Sequence, residues 1–335
     1  MICKARVGMI AACFAMASAG AAYSAEGSYP NRPVRMIVPF APGGASDFVA
    51  RIVEPKLHDA LKQSVVIDNR TGASGYVGVE IAALSPPDGY TILLGNIGTM
   101  AINAAVFPKF KVKPLDAFIG VTQVVDVPGC VVVHPSLPVR SLKELMTYIK
   151  ARPGQLDFSA SGAGSNSRLA FEYFLQKANL KAVMVPYKGG ASGASLAVVQ
   201  GEVPMTMLTS ASVLPFVRNN QLRLLAVIAP QRLAAAPDAP TMAELGFPEL
   251  TVGSWQGVYV PKGTPRPIVD TLFSAVTKAM KHPEVAKRLA TADAMVILSK
   301  SPEEFRKFWE EESNRWAKVV RDVGAVAQRY RSAAT

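Results

Sequence analysis

Cysteine is scarce in this chain, and its placement makes it scarcer still. Of three cysteines, Cys3 and Cys13 sit at the extreme N-terminus and only Cys130 lies within the body of the sequence. A single thiol forms no internal disulfide, so stability must rest on a large apolar core. Histidine is equally sparse. His58, His134 and His282 have no ligand spacing among themselves, which excludes Cys/His zinc sites; no metal and no cofactor are expected. Beyond the N-terminal segment no stretch approaches the ~18 apolar residues that span a bilayer. Basic residues never occur three in a row, although the net charge is +11. With no basic run and no aromatic-interleaved basic motif, nucleic acid is excluded as a partner. For an exported protein, such scattered positive charge suits an anionic small solute. No Gly-x-Ser-x-Gly elbow is present and the histidines lack motif context, so an enzyme is not expected; an exported hydrolase is kept as an alternative.

What is present begins with a leader. Lys4 and Arg6 precede an uncharged segment from Val7 to Ala22, and Ala22-Tyr23-Ser24 supplies small residues at a cleavage site. Residues 1–25 therefore read as a secretory signal peptide, cut after Ser24 or Ala25, and the expected location is the periplasm. Ile10-Ala11-Ala12-Cys13 has the form of a lipid-attachment box, but few apolar residues precede Cys13 and the apolar run continues past it; no lipid anchor is expected. The rest is half hydrophobic and 18% charged, a globular composition with length for two domains at roughly 150 residues each.

Two glycine-rich loops carry most of the chemical information. Pro42-Gly43-Gly44-Ala45-Ser46-Asp47 follows the apolar run Met36 to Phe40, and Ser161-Gly162-Ala163-Gly164-Ser165-Asn166 follows Leu156 to Ala160. Each sits between a predicted strand and an amphipathic helix. Such a turn aims free backbone N–H groups, at the positive end of a helix dipole, toward whatever occupies the loop. Two of them could grip one small anion from two sides.

Around these loops the pattern alternates. Strands are predicted at 34–40, 64–68, 90–95, 130–133, 156–160, 182–185, 203–208 and 222–228. Helices are predicted at 47–61, up to 83, 142–151, 167–178, 192–199 and 267–281, with a last one capped by Ser301 and ended by Gly324. The alternation implies parallel pairing with helices on both faces. Two extended stretches, 121–132 and 252–260, are the expected crossings between domains. Two crossings make a hinge, with a cleft beside it. The expected division is 26–130 with 252–335 as one lobe and 131–251 as the other.

The candidate ligand-binding residues are Phe40, Pro42, Gly43, Gly44, Ala45, Ser46 and Asp47 in the first loop, and Ser161, Gly162, Gly164, Ser165 and Asn166 in the second. Asp47 is either a contact or the N-cap of its helix. Asn96, Thr99 and Ser210 lie at C-terminal strand ends, where ligands sit in such sheets. Arg168 either holds a second carboxylate on the solute or pairs with Glu172 four residues on. Asn69 to Gly75 reads as structural. Trp255 fits hinge packing as well as stacking on a ligand, and Tyr187 and Lys188 fit framework or contact.

Several of these segments resemble one family. Pro39-Phe40-Ala41-Pro42-Gly43-Gly44-Ala45-Ser46-Asp47, Asp68-Asn69-Arg70-Thr71-Gly72-Ala73-Ser74-Gly75, Pro87-Asp88-Gly89-Tyr90-Thr91, Gly162-Ala163-Gly164-Ser165, Val185-Pro186-Tyr187-Lys188-Gly189, Pro237-Asp238-Ala239-Pro240-Thr241, Trp255 and Thr264-Pro265 look like the Bug-type periplasmic solute receptors of tripartite tricarboxylate transporters, in the family's order over roughly residues 31 to 325. The resemblance implies a type II periplasmic-binding-protein fold: α/β, two Rossmann-like lobes, a hinge and a cleft. It implies a monomer that binds a small organic carboxylate, without catalysis, and passes it to membrane permease subunits. Presentation of the loaded receptor to a membrane histidine kinase is the alternative. The chain departs from the family at Arg168, where histidine is common, at Ala194-Ser195-Leu196-Ala197, where an aspartate is frequent, and at Thr209-Ser210, where Asp-Asn often ends the strand. The solute is therefore not transferable from a relative.

Overall fold

The computed structural model describes residues 29–187, 190–250 and 253–325. The signal peptide assigned to residues 1–25, together with Lys188 and Val252, falls outside them. Strands and helices alternate. Strands β1 (Val34–Val38), β2 (Val65–Asn69), β3 (Thr91–Asn96) and β4 (Phe118–Val127) come first, then β5 (Gly129–Val133), β6 (Asp157–Ala160), β7 (Val183–Pro186), β8 (Met205–Thr209) and β9 (Arg223–Ile228), then β10 (Ser254–Pro261) and β11 (Met295–Val296). The helices are α1 (Ala45–Leu61), α2 (Tyr76–Ala83), α3 (Asn103–Val106), α4 (Pro114–Ala117), α5 (Leu142–Lys150), α6 (Asn166–Lys177), α7 (Gly190–Val199), α8 (Ser210–Arg218), α9 (Arg266–Met280), α10 (Pro283–Leu289) and α11 (Pro302–Asp322).

The strands form two sheets, ordered β11-β4-β10-β3-β1-β2 and β7-β6-β8-β5-β9. The chain leaves the first sheet between Val127 and Gly129, with only Pro128 intervening, and returns to it at Ser254. Parallel pairing holds within each strand–helix–strand unit: β1 with β2 and β3, β6 with β7 and β8. It fails where the chain changes sheet. There β10 runs antiparallel to β3 and β4, and β5 antiparallel to β8 and β9. A strand that arrives from the other sheet has no helical crossover to reverse it, so it enters head to tail. All residues of β5 and β10 are buried, as expected for strands covered on both faces.

Aromatic residues fill the core on one face of the first sheet. Phe305, Trp309 and Trp316 of α11 pack with Trp255 and Tyr259 of β10. The helix begins as its sequence implies. Ser301 Oγ accepts the Glu304 N–H at 3.2 Å, and Glu304 returns a carboxylate to the Lys300 N–H at 2.7 Å, a reciprocal cap of the kind set by Ser-x-x-Glu. Trp255 is fully buried against Phe305 and Phe308, which gives it the packing role. Its indole donates to Glu312 at 2.9 Å, as does that of Trp316 at 3.3 Å. On the opposite face α1 packs on α9 and α10. The second sheet has one core under α5 and α6, including Phe158, Phe171 and Phe174, and another under α7 and α8.

Asp126, next to last in β4, is buried, and its Oδ1 has no hydrogen-bond partner among the described residues. Burial raises its carboxyl to about 6; the Gly253 amide opposes this, and the Glu312 charge adds to it.

Candidate functional site

The C-terminal ends of strands from both sheets meet around a cavity of about 80 Å³. Its wall contains Gly44, Ala45 and Ser46 at the start of α1, Ser165, Asn166 and Ser167 at the start of α6, Gly190 and Ala191 at the start of α7, and Thr209 at the N-cap of α8. Four helix N-termini thus converge on one space. Each presents unpaired backbone N–H groups and the equivalent of about half a positive charge. Among the described residues, no charged side chain lines the cavity. The polar side chains on the wall are hydroxyls and amides, from Ser46, Ser74, Asn96, Ser161, Ser165, Asn166, Ser167, Thr209 and Ser254.

Local hydrogen bonds set the two loops. Gly43 has φ +84°, a left-handed conformation that favours glycine. Its amide donates to Asp47 Oδ2 at 3.0 Å. Asp47 also accepts from Arg51 at 2.9 Å and from Asn69 at 3.1 Å. Burial pushes this carboxyl up, but the hydrogen bonds from Arg51, Gly43 and Asn69 outweigh it and hold the group below its ordinary value. In the second loop Ser165 is the N-cap of α6. Its Oγ accepts the Arg168 N–H at 3.2 Å and donates to Gly162 O at 2.7 Å. Ser167 Oγ lies 3.0 Å from Ser161 Oγ and 2.9 Å from Ser165 Oγ, so three hydroxyls are tied together. The buried Oδ1 of Asn166 has no partner among the described residues.

Of the residues expected from sequence, Phe40, Gly44, Ala45, Ser46, Asn96, Ser161, Gly164, Ser165 and Asn166 line this cavity. The others lie off its wall, and for most the reason is geometric. Asp47 does not reach the cavity wall and is not the N-cap. It occupies the first turn of α1 and spends its oxygens on Gly43, Arg51 and Asn69, while Gly44 takes the cap position. Pro42 and Gly43 stand behind the wall, with Pro42 O accepting from Ser192 Oγ at 3.2 Å. Thr99 is buried and closes a turn on Asn96, its N–H donating to Asn96 Oδ1 at 3.1 Å. Gly162 lines an adjoining space. Arg168 donates to Glu172 at 2.8 Å and to Ala163 O at 2.8 Å, so it braces the loop. Ser210 is fully buried and donates to Ala292 O at 2.5 Å; its neighbour Thr209 takes the wall position.

Sequence reasoning missed Ser74, Gly98, Ser167, Gly190, Ala191, Thr209 and Ser254. A strand–glycine–helix signal exists for α7, at Val185 to Gly190, but the others have none of comparable strength.

Contacts between segments that carry different sheets bound the cavity. Gly164 N donates to Ser74 Oγ at 3.3 Å; on the first-sheet side, Asn103 Nδ2 donates to Ser74 O at 2.9 Å and holds that residue in place. A Cβ on Gly164 would overlap Asn103 Oδ1 and stand 2.7 Å from Phe107 Cε2. The backbone of the second loop therefore lies closer to the first lobe than any side chain would allow.

Known proteins are similar to this chain in sequence and fold. The family described as tripartite tricarboxylate transporter family receptor matches residues 49–325. BugT of Bordetella pertussis is 37% identical over 312 residues, covering 93% of this chain and 95% of the relative. The solved structure of the periplasmic binding protein BugD superposes with a TM-score of 0.84 at 29% identity, covering 90% of this chain and 100% of that one. MatC from Rhodopseudomonas palustris, solved with bound malate, gives 0.81 at 31% identity, with 87% and 100% covered. The two sheets with their flanking helices are the two lobes of a type II periplasmic-binding-protein fold, and the chain belongs to the tripartite tricarboxylate transporter receptor family, among its Bug-type solute-binding proteins.

Proposed function

We propose that this protein is a periplasmic receptor that closes its two lobes on a small organic carboxylate and delivers it to the permease subunits of a tripartite tricarboxylate-type transporter. The observation that carries this reading is the convergence of four helix N-termini on a cavity wall with no charged side chain among the described residues. Backbone N–H groups and hydroxyls neutralise an anion without a cationic side chain, and a carboxylate suits donors that approach from several sides. The malate bound by MatC supports the same ligand class. The lobes would be residues 26–130 with 252–335 and residues 131–251, rotating about Pro128 and the return into β10. That the chain changes sheet only at these two places, among the described residues, supports a hinge there.

Thermal unfolding of the secreted protein with a library of organic acids tests the ligand class. A carboxylate at 100 times its Kd should add about 2.7 kcal/mol to stability, and the corresponding amides should add nothing. If no carboxylate raises the unfolding temperature, or if amides and acids raise it alike, the anion reading fails.

A further inference from the structure

The inner cavity is small. At about 80 Å³, it offers roughly five to eight water-sized positions, at about 10–15 Å³ each. A carboxylate and a short carbon chain fill that. A larger ligand extends outward, and a second space lies next door. It measures about 810 Å³ and shares Phe40, Ala41, Ser74, Ser161 and Gly190 with the inner wall. That volume is in the range of about 300–1,000 Å³ typical of small-molecule sites.

The outer wall has a different chemistry. Phe40, Phe107, Pro108, Phe110, Pro186 and Tyr187 line it, with Lys109 its one charged lining residue among those described. The rings are already ordered. Phe107 and Phe110 stack at 4.6 Å between centroids, and Tyr76 stacks on Phe110 at 3.7 Å. Tyr76 is in turn fixed by the Val112 N–H, which donates to its hydroxyl at 3.0 Å. An aromatic wall held in place by its own stacking loses little side-chain freedom when a ligand packs on it. It rewards apolar surface, and rings above all, through offset or edge contacts. A short polar acid would leave that wall unused.

We propose that the outer chamber is a second subsite, and that the solute is a ring-bearing carboxylate: its carboxylate lies in the inner cavity and its aryl or alicyclic body against Phe107, Phe110 and Tyr187. This rests on the carboxylate reading above and narrows it. Burying one face of a ring, at about 25 cal/mol per Å² of apolar surface, is worth a factor of roughly ten or more in affinity.

Calorimetry and thermal shift of the secreted protein with benzoate and cyclohexanecarboxylate, against acetate and propionate, test it. The ring acids should bind about tenfold or more tighter than the short ones. Phe110→Ala should weaken the ring acids by roughly fivefold or more and leave the short acids within about twofold. Phe110 also packs on its neighbours, so Thr71→Trp supplies an independent probe. Thr71 is an exposed residue of the chamber wall, and a tryptophan there should exclude ring acids while sparing propionate. Equal affinities for both series, or variants that shift both series equally, overturn the subsite while leaving the carboxylate reading intact. If neither series binds and other carboxylates do, the ring-bearing solute is wrong; if no carboxylate binds, both readings fall.

Discussion

Replacing Gly164 with alanine should weaken ligand binding by about a hundredfold while leaving the unfolding temperature of the ligand-free protein almost unchanged. The added methyl overlaps Asn103 Oδ1 and presses on Phe107. Both lie in the segment between β3 and β4, whereas Gly164 follows β6 in the other sheet. The clash therefore exists only when the lobes are together. Overpacking of this kind costs about 1–3 kcal/mol. If only the closed form holds ligand tightly, the apparent affinity falls in proportion to the closed population. Gly164 has no left-handed backbone angle, so alanine adds no strain within its own loop. Calorimetry on the variant, with a scan of the ligand-free protein beside it, reads both quantities. Near-normal affinity would show that this approach of the loops is not needed for capture. A large drop in ligand-free stability would place the clash inside a lobe.

Asp126→Asn should stabilise the protein by up to roughly 3 kcal/mol above pH 6 and change little near pH 4. Burial, opposed by the Gly253 amide and reinforced by Glu312, raises this carboxyl from 3.8 to about 6 in the folded state. Between those two values the native protein keeps a proton that the unfolded chain has released. Stability then falls as pH rises through the window. Below it both states are protonated and the group contributes nothing; above it both are ionised and the whole penalty, on the order of 3 kcal/mol, is present. Asparagine keeps an acceptor for Gly253 and carries no charge, so the penalty disappears. Chemical denaturation at several pH values checks this. The advantage of the variant should grow from pH 4 to 6 and then level off. A gap that does not vary with pH would mean that the carboxyl is not buried as described.

Much of this fold can be read directly from the chain. Glycine-rich turns after short apolar runs mark where strands pass into helices, because the turn chemistry and the change of hydrophobic period coincide there. The same is true of the Ser301 cap. Other features depend on partners remote in sequence. Glu312 sits in a run of three glutamates that reads as a solvated face, yet two indoles claim it. At the junction of β8 and α8, Thr209 and Ser210 are adjacent and chemically alike. One lies on the cavity wall and the other points into the fold, and only the direction of the strand decides which. Ser74 and Asn103 meet Gly164 across two lobes, a juxtaposition for which a linear sequence has no signal.

The four helix N-termini are unequally shared. One, that of α1, belongs to the first sheet, and three, those of α6, α7 and α8, belong to the second. If the lobes part, the electrostatic field at the cavity does not fade evenly: the second lobe keeps most of it. We infer an order of events in which an incoming acid lands on the second lobe, and the first lobe then acts as the shutter that seals it. The Gly164→Ala protein, held ajar, isolates the landing step. In it, Ser165→Ala should still reduce the residual affinity and Ser46→Ala should not; the reverse pattern would assign the landing to the first lobe. Release then needs no titrating group on the wall, since swinging the shutter away removes the fourth dipole and returns the acid to a half-site open to solvent.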